Sequence, residues 1–595
     1  MATNTSDHLL SRLREWGVHR IYGYPGDGIN AIMGALQDSD DGPEFIQARH
    51  EETAAFMAVG HAKFTGELGV CLATSGPGAI HLLNGLYDAK LDHVPVLAIV
   101  GQQPMKALGG SQQQEVDLPN LFKDVAGYVQ TCTTPLQLRP LVDRAVRIAL
   151  AERTVTCLII PTDIQEADAV EEPPHEFKVN PSSAGYVAPR IVPQLSEIER
   201  AATVINEGKR VAILIGQGAR SGADEVVELA ERVGGGIAKA LLGKDVLPDD
   251  LPFVTGSIGL LGTRPSYEMM RDCDTLLMVG TSFPYSDWLP EFGKARGVEI
   301  DIDAKMIGLR FPTEVNLVGD SGETLRALLP MIERKEDRSW REEIEKAVSK
   351  WWKVVEGRAM QDAHPLNPQR VFWELSALLP DDCILTCDSG TAVNWYARDL
   401  KIRRGMRCSL SGTLATMGPG VPYAIAAKMA HPEKVVIALV GDGAMTMNGM
   451  NELLTVKRYW QRWSDPRLVF LVLNNSDLSQ VTWEMRAMEG DPKYEASQTL
   501  PEFNFARFAE LCGWRGLRME RPEDVESTWR EALSADRPVL IDAVTDPEVP
   551  PLPPHISKDQ ATAMFKTLVK GDPEGADVIR HSVKGKLEEF LHRGD

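Results

Sequence analysis

The sequence predicts an α/β protein of three doubly wound parallel-sheet domains with a carboxyl-terminal tail, and three observations predict it. Short β-branched runs alternate with helical patterns along most of the chain, the signature of a parallel sheet covered on both faces. Two stretches interrupt the alternation, one proline-rich and acidic, the other charged and amphipathic. At 595 residues the chain exceeds what one core supports, since domains hold roughly 100–200 residues.

The first block, residues 1–165, contains the strand candidates FIQARH, GVCLAT, VPVLAIV and TCLIIP, with helices expected over 51–64 and 79–90. EADAVEEPPHEFKVNPSSAGYVAPR then lacks a sustained apolar period and reads as a surface linker. The second block, 190–335, is smaller, with strands VAILIG, TLLMVG and VEIDID around a helix over 224–233. In the next segment Ile344, Val348, Trp351 and Val355 recur at helical spacing, which predicts a connecting amphipathic helix. The third block, 366–545, carries CILTC, VVIALV, LVFLVL and PVLIDAV, with a helix expected from about 448 to 460, and 546–595 forms the tail.

With 84 acidic against 63 basic residues the formal charge is -21, which repels phosphate backbones and argues against a nucleic-acid partner. No apolar run reaches the roughly 18–20 residues of a membrane span, and the start lacks the apolar core of a secretion signal, so a cytoplasmic location is expected. The eight cysteines lie singly in apolar stretches and are expected as reduced, buried thiols; Cys383 and Cys387 share a strand face without completing a zinc set.

Chemistry concentrates in the third block. VVIALV runs into Gly441-Asp442-Gly443-Ala444, and LVFLVL into Asn474-Asn475. Both polar clusters would emerge at the carboxyl ends of parallel strands, where open α/β sheets bind ligands. A carboxylate and an amide oxygen suit Mg²⁺, and glycines let backbone N–H groups approach a phosphate. Either fragment alone would read as a turn or cap. Spaced as they are, they resemble the diphosphate-binding signature of thiamine-diphosphate enzymes. That resemblance implies Mg²⁺ on Asp442, Asn475 and the carbonyl of Asp477, with Gly441, Gly443 and Ala444 at the diphosphate.

In the first block, FIQAR ends in His50-Glu51-Glu52 at a helix start, which by itself could be an acidic cap. IYGYPGDG, ATSGPGAIHLLNGLYDAKLDHVP and VGQQP resemble the pyrimidine-binding domain of the same superfamily. This implies Glu51 as the carboxylate that activates the thiamine ring, with Gly26, Ser75 and Asn84 as further cofactor contacts and His81 as a pocket proton donor. In SLSGTLATMGPG, Met417 matches the apolar wedge beneath the bent cofactor and Ala415 the carbonyl that receives the aminopyrimidine N–H.

Over roughly the first 545 residues the chain most resembles pyruvate oxidases and quinone-reducing pyruvate dehydrogenases, with acetohydroxyacid synthases as relatives. GQGARSG, GSIGLLGT, VGTSFPY, VEIDIDAKMIG and VNLVGDSGETLRALLP resemble their flavin domain. FAD is therefore implied at Gly216, Gly218, Arg220, Gly280, Thr281, Asp301, Asp303 and Asp320. The same resemblance implies Gln114 and Glu484 at the substrate pocket. Two departures stand out: Gln113 replaces an aromatic residue, and Ser479-Gln480 replaces glycine and phenylalanine.

The activity so implied is oxidative decarboxylation of a 2-keto acid, pyruvate favoured, with FAD passing electrons to a quinone or oxygen. A carboligase or simple decarboxylase is the enzymatic alternative, and a catalytically silent paralogue the alternative of another class. The superfamily sandwiches its thiamine between subunits, so a homodimer or homotetramer is expected. Val578, Ile579, Val583, Leu587, Phe590 and Leu591 trace an apolar stripe in the tail, which leaves room for a weak membrane contact.

Overall fold

The computed structural model describes residues 3–591, with the side chains of Phe590 and Leu591 outside the described residues. Among the described residues eighteen strands form three six-stranded sheets, every strand pair parallel. The first sheet contains β1 (Arg20–Gly23), β2 (Glu44–Gln47), β3 (Gly69–Ala73), β4 (Val96–Gln102), β5 (Tyr128–Thr131) and β6 (Val155–Pro161). The second contains β7 (Val211–Ile215), β8 (Gly236–Lys239), β9 (Val254–Ser257), β10 (Thr275–Val279), β11 (Arg296–Asp301) and β12 (Val315–Val318). The third contains β13 (Ile384–Cys387), β14 (Arg407–Ser409), β15 (Val436–Gly441), β16 (Leu468–Asn474), β17 (Arg515–Met519) and β18 (Val539–Val544). Three parallel-sheet α/β domains are thus what the alternating pattern predicted. Continuous apolar runs such as VTCLIIP and LVFLVLN are buried at every position, as strands covered by helices on both faces must be.

The outer two sheets share one strand order: β2-β1-β3-β4-β6-β5 in the first and β14-β13-β15-β16-β18-β17 in the third. The middle sheet, β9-β8-β7-β10-β11-β12, has the 3-2-1-4-5-6 arrangement of dinucleotide-binding folds, whose ligand crevice opens between the first and fourth strands.

The first and third domains pack through two helices, Glu51–Thr65 and Gly420–Ala430. Gly60 makes the crossing close, since a Cβ there would stand 2.9 Å from the Tyr423 Cα. Beside it Tyr423 bonds the Asp88 carboxylate, and Lys63 bonds Asp92 at 2.7 Å. Asp92 in turn accepts the backbone N–H groups of Gly412 and Thr413. The middle and third domains meet at a buried charge cluster in which Lys239 and Lys244 flank Asp249, at 2.6 and 3.4 Å. Asp249 also exchanges hydrogen bonds with the backbone of Ile402.

The connecting helix spans Ser339–Ala359 and buries Ile344, Val348, Trp351 and Val355 as its period requires. The helix expected over 79–90 is two, Pro77–His81 and Leu83–Leu91. That expected over 448–460 begins instead as a π-helix at Met445–Gly449, followed by an α-helix at Glu452–Tyr459. In the tail helix Gly575–Leu591, Val578 is buried while Ile579, Val583 and Leu587 are exposed. No helix among the described residues is long and apolar enough to cross a membrane, and all eight cysteines are buried thiols.

Candidate active site

In the third domain the chain leaves β13 and β15 at the point where the strand order reverses. Asp388 follows β13, and its carboxylate accepts the N–H groups of Ser389, Gly418 and Gly420 at 2.8–2.9 Å. It thereby pins the turn that carries Ala415 and Met417. Asp442 follows β15; Gly443 donates its N–H to one carboxylate oxygen, and Asn475 and Ser476, just beyond β16, donate theirs to the other. Burial pushes the Asp442 carboxyl up to about 7 against these three donors.

Among the described residues no lysine or arginine pairs with Asp442, so its buried carboxylate is short of a cation. Asn475 lies beside it, its Nδ2 committed to the Ser479 hydroxyl (2.8 Å) and its Oδ1 to the Asp477 N–H (3.1 Å). A Cβ at Gly441 would meet open space, whereas one at Gly443 would run into Leu478 and approach Met417. The buried Asn448 amide, against Gly418, has no partner on either atom. Hard oxygen donors, an uncompensated carboxylate and an open glycine cradle together fit a divalent cation carrying a phosphate.

In the first domain Glu51 opens the helix Glu51–Thr65, which His50 caps by accepting the Glu52 N–H. Glu51 is buried, and its Oε2 lies 3.0 Å from His81 Nδ1. His81 is held over His50 with ring centroids 4.4 Å apart. Gly78 allows this approach, because a Cβ there would press on Thr74 and lie 3.2 Å from the Glu51 Oε1. Asn84 donates to Glu52 (2.6 Å) and to Thr416 of the third domain (3.1 Å). Glu452, on the helix after the Asp442 turn, accepts the Arg49 N–H and the Thr53 hydroxyl. The loops after β1 and β3 meet at this sheet's own reversal of strand order: Gly26 packs on Thr74, and Ser75 approaches Gln114 at 3.5 Å.

Gln114, Ala415 and Ser476 all hold the left-handed backbone at φ 62, 53 and 53°, which costs a residue with a Cβ and is characteristic of sites where geometry is imposed.

In the middle domain the ends of β7 and β10 close on each other. The Gly218 N–H donates to the Gly280 carbonyl at 3.0 Å, and a Cβ on Gly216 would stand 2.3 Å from that oxygen. Thr281 packs on Gly216, while Asp301 at the end of β11 accepts the Asp303 N–H. Arg220 is bound to Asp245 at 2.7 Å, and Asp320 caps the helix Ser321–Leu328 by accepting the Glu323 N–H. The residues singled out in this domain thus lie at the carboxyl ends of β7, β10, β11 and β12, and Arg220, Asp301 and Asp320 are engaged by protein partners.

Glu484, on the helix Ser479–Glu484, accepts from Gln480 at 2.9 Å. Sequence reasoning did not find Asp388, although its Asp-Ser-Gly at a strand end was the same signal that exposed Asp442. Glu452 carries no such local signal.

Family models match the chain in three parts: the N-terminal TPP binding domain of thiamine pyrophosphate enzymes over residues 3–121, the central domain over 198–328, and the C-terminal TPP binding domain over 388–543. The chain belongs to the thiamine pyrophosphate enzyme family. It is 37% identical over 592 residues to YdaP of Bacillus subtilis (strain 168), whose name gives it as thiamine pyrophosphate-containing, covering 99% of this chain and 100% of that protein. It is 30% identical to the pyruvate oxidase of Lactiplantibacillus plantarum (93% of this chain, 90% of the relative) and 32% identical to the acetolactate synthase of Arthrospira platensis (90% and 93%). Thiamine diphosphate is accordingly the family's cofactor and a 2-keto acid its class of substrate.

Proposed function

We propose that the protein oxidatively decarboxylates a 2-keto acid, pyruvate favoured, using thiamine diphosphate, Mg²⁺ and FAD, with electrons passing to a quinone or oxygen. The oxidative reading needs a flavin, and the observation that supports one is the middle domain. Its strand order is that of a dinucleotide fold, and Gly216, Gly218, Gly280 and Thr281 stand at its switch point, between the ends of β7 and β10.

Asp442, Asn475 and the Asp477 carbonyl would hold Mg²⁺, with the turn from Gly441 to Ala444 at the diphosphate and Met417 as the wedge. When bound, thiamine diphosphate supplies a carbon nucleophile and an electron sink for decarboxylation. Glu51 contributes a fixed carboxylate in a sheltered cleft, suited to moving a proton at the ring. His81, hydrogen-bonded to it, is placed to hold or relay a proton. Gln114 and Glu484 supply polar walls for the substrate.

We assign the working form to a homodimer or homotetramer. Ile80 beside His81, Met447 beside the Asp442 turn and Val481 beside Gln480 are 43, 60 and 45% exposed, and large apolar side chains around a polar site call for a covering surface.

A non-oxidative carboligase is the second reading, favoured by the polar Gln113 and Gln480 where the pyruvate-oxidase pattern has aromatic rings. An anaerobic absorbance spectrum of the protein with thiamine diphosphate and Mg²⁺, before and after pyruvate and then a panel of 2-keto acids, separates the two. Bleaching of a bound flavin band is expected. Carbon dioxide release beside a flavin that stays oxidised would establish the carboligase or decarboxylase instead.

A further inference from the structure

Behind Glu484 runs a chain of side chains that reaches the tail. Gln480 Nε2 donates to Glu484 Oε1 at 2.9 Å, Asn394 Nδ2 donates to Gln480 Oε1 at 2.8 Å, and Arg398 donates to Asn394 Oδ1 at 2.9 Å. Arg398 is anchored in turn on the Leu552 carbonyl of the tail. Asn394 and Arg398 are 2% and 4% exposed, so water does not compete freely for the bond between them.

An amide can be turned end for end at little steric cost, and two amides in series could point either way. A guanidinium has no acceptor. It therefore forces Asn394 to offer its oxygen inward and its N–H₂ outward, and Gln480 must follow suit.

We infer that Arg398, Asn394 and Gln480 form a one-way hydrogen-bond relay whose donor-only end fixes both amides, so that Gln480 presents N–H to Glu484 and holds that carboxylate in place as an acceptor. All three are positioning residues. The inference rests on the reading that Glu484 faces the substrate. It gives Gln480, one of the two departures from the pyruvate-oxidase pattern, a specific task, because a phenyl ring cannot pass a hydrogen bond on.

Polarity makes an unusual ranking testable. Asn394→Asp preserves size and Arg398's acceptor but has no N–H to give. Gln480 must then turn to donate to the new carboxylate, and its oxygen meets Glu484. Asn394→Ala removes the partner without reversing anything. A residue that merely fills space would tolerate the isosteric change better; the relay predicts the opposite.

The experiment measures carbon dioxide release by the holoenzyme from whichever 2-keto acid of the panel the wild type turns over fastest. Asn394→Asp is expected to lower kcat by about 10- to 100-fold, the worth of a hydrogen bond to a charged group, and Asn394→Ala by less. In a Gln480→Leu background, where there is no amide to turn, the two substitutions should become equal. A crystal structure of the Asn394→Asp protein should show the Glu484 carboxylate displaced from Gln480.

The relay is overturned if Asn394→Asp costs no more than Asn394→Ala. It also fails if the excess persists in the Gln480→Leu background, which would mark a through-space charge effect. Glu484→Gln separates the two levels: wild-type turnover there removes both the role of Glu484 and the relay, whereas loss of turnover with equal Asn394 variants removes the relay alone.

Discussion

Glu51 and His81 share a 3.0 Å contact between carboxylate Oε2 and imidazole Nδ1, although they come from different helices at the ends of different strands. Burial keeps the carboxylate in a sheltered cleft, and the histidine gives it one fixed direction. Glu51→Gln retains the shape and removes the base. Its turnover should fall by about 10²–10⁴-fold, measured as carbon dioxide release at saturating thiamine diphosphate; a wild-type rate would remove Glu51 from the chemistry.

The Ser479 hydroxyl takes the Asn475 N–H, which keeps the amide from rotating. Groups that orient a metal ligand typically contribute 10- to 100-fold in affinity. Ser479→Ala should therefore weaken Mg²⁺ binding by about 10-fold, read from the Mg²⁺ concentration that restores activity after chelation, with kcat at saturating Mg²⁺ little changed.

Asp249 is the carboxylate that two lysines share in a buried interface between domains. Removing one member of such a cluster leaves an unpaired buried charge, a loss of about 3–5 kcal/mol. Asp249→Ala should lower the thermal midpoint sharply, whereas Asp272→Ala, at a surface ion pair with Arg271, should barely move it.

Glu299 is buried beneath the Gly308 N–H with no cation paired to it among the described residues, and burial pushes its carboxyl up to about 7. A carboxyl with a raised folded pKa favours folding while it keeps its proton, and that contribution is lost as pH rises from about 4.5 through 7. Glu299→Gln should flatten this part of the dependence. The thermal midpoint of the variant should gain on wild type across that window in parallel melting curves.

The centres of the three sheets were legible because strands covered on both faces are continuous apolar runs; β4, β6, β7, β10, β15 and β16 all read that way, and β18 does so apart from Asp542. Several short or edge strands were not, although β2 and β13 were named in FIQARH and CILTC. β14 has three residues and β12 alternates buried with exposed, while β17 is largely solvent-facing, so neighbours rather than local pattern define them. The π-helical start at Met445 was equally hidden, since an extra residue in a turn leaves no periodic mark. At the site, Asp442 and Asn475 were readable from strand ends and spacing. Ser479 and Gln480 were visible only as departures, because their roles depend on the hydroxyl and amide they meet in space.

The common strand order of the first and third sheets means that the cofactor, on the proposed reading, is gripped at both ends by the same tool. An uncharged ring and a doubly phosphorylated tail differ in every chemical respect, yet each would enter at a reversal point of one topology. What distinguishes the grips is a few side chains beyond the strand ends: a glutamate and a histidine in one, an aspartate and an asparagine in the other. Such a molecule can exchange one ligand preference for another by rewriting loops, while both frameworks keep folding as before.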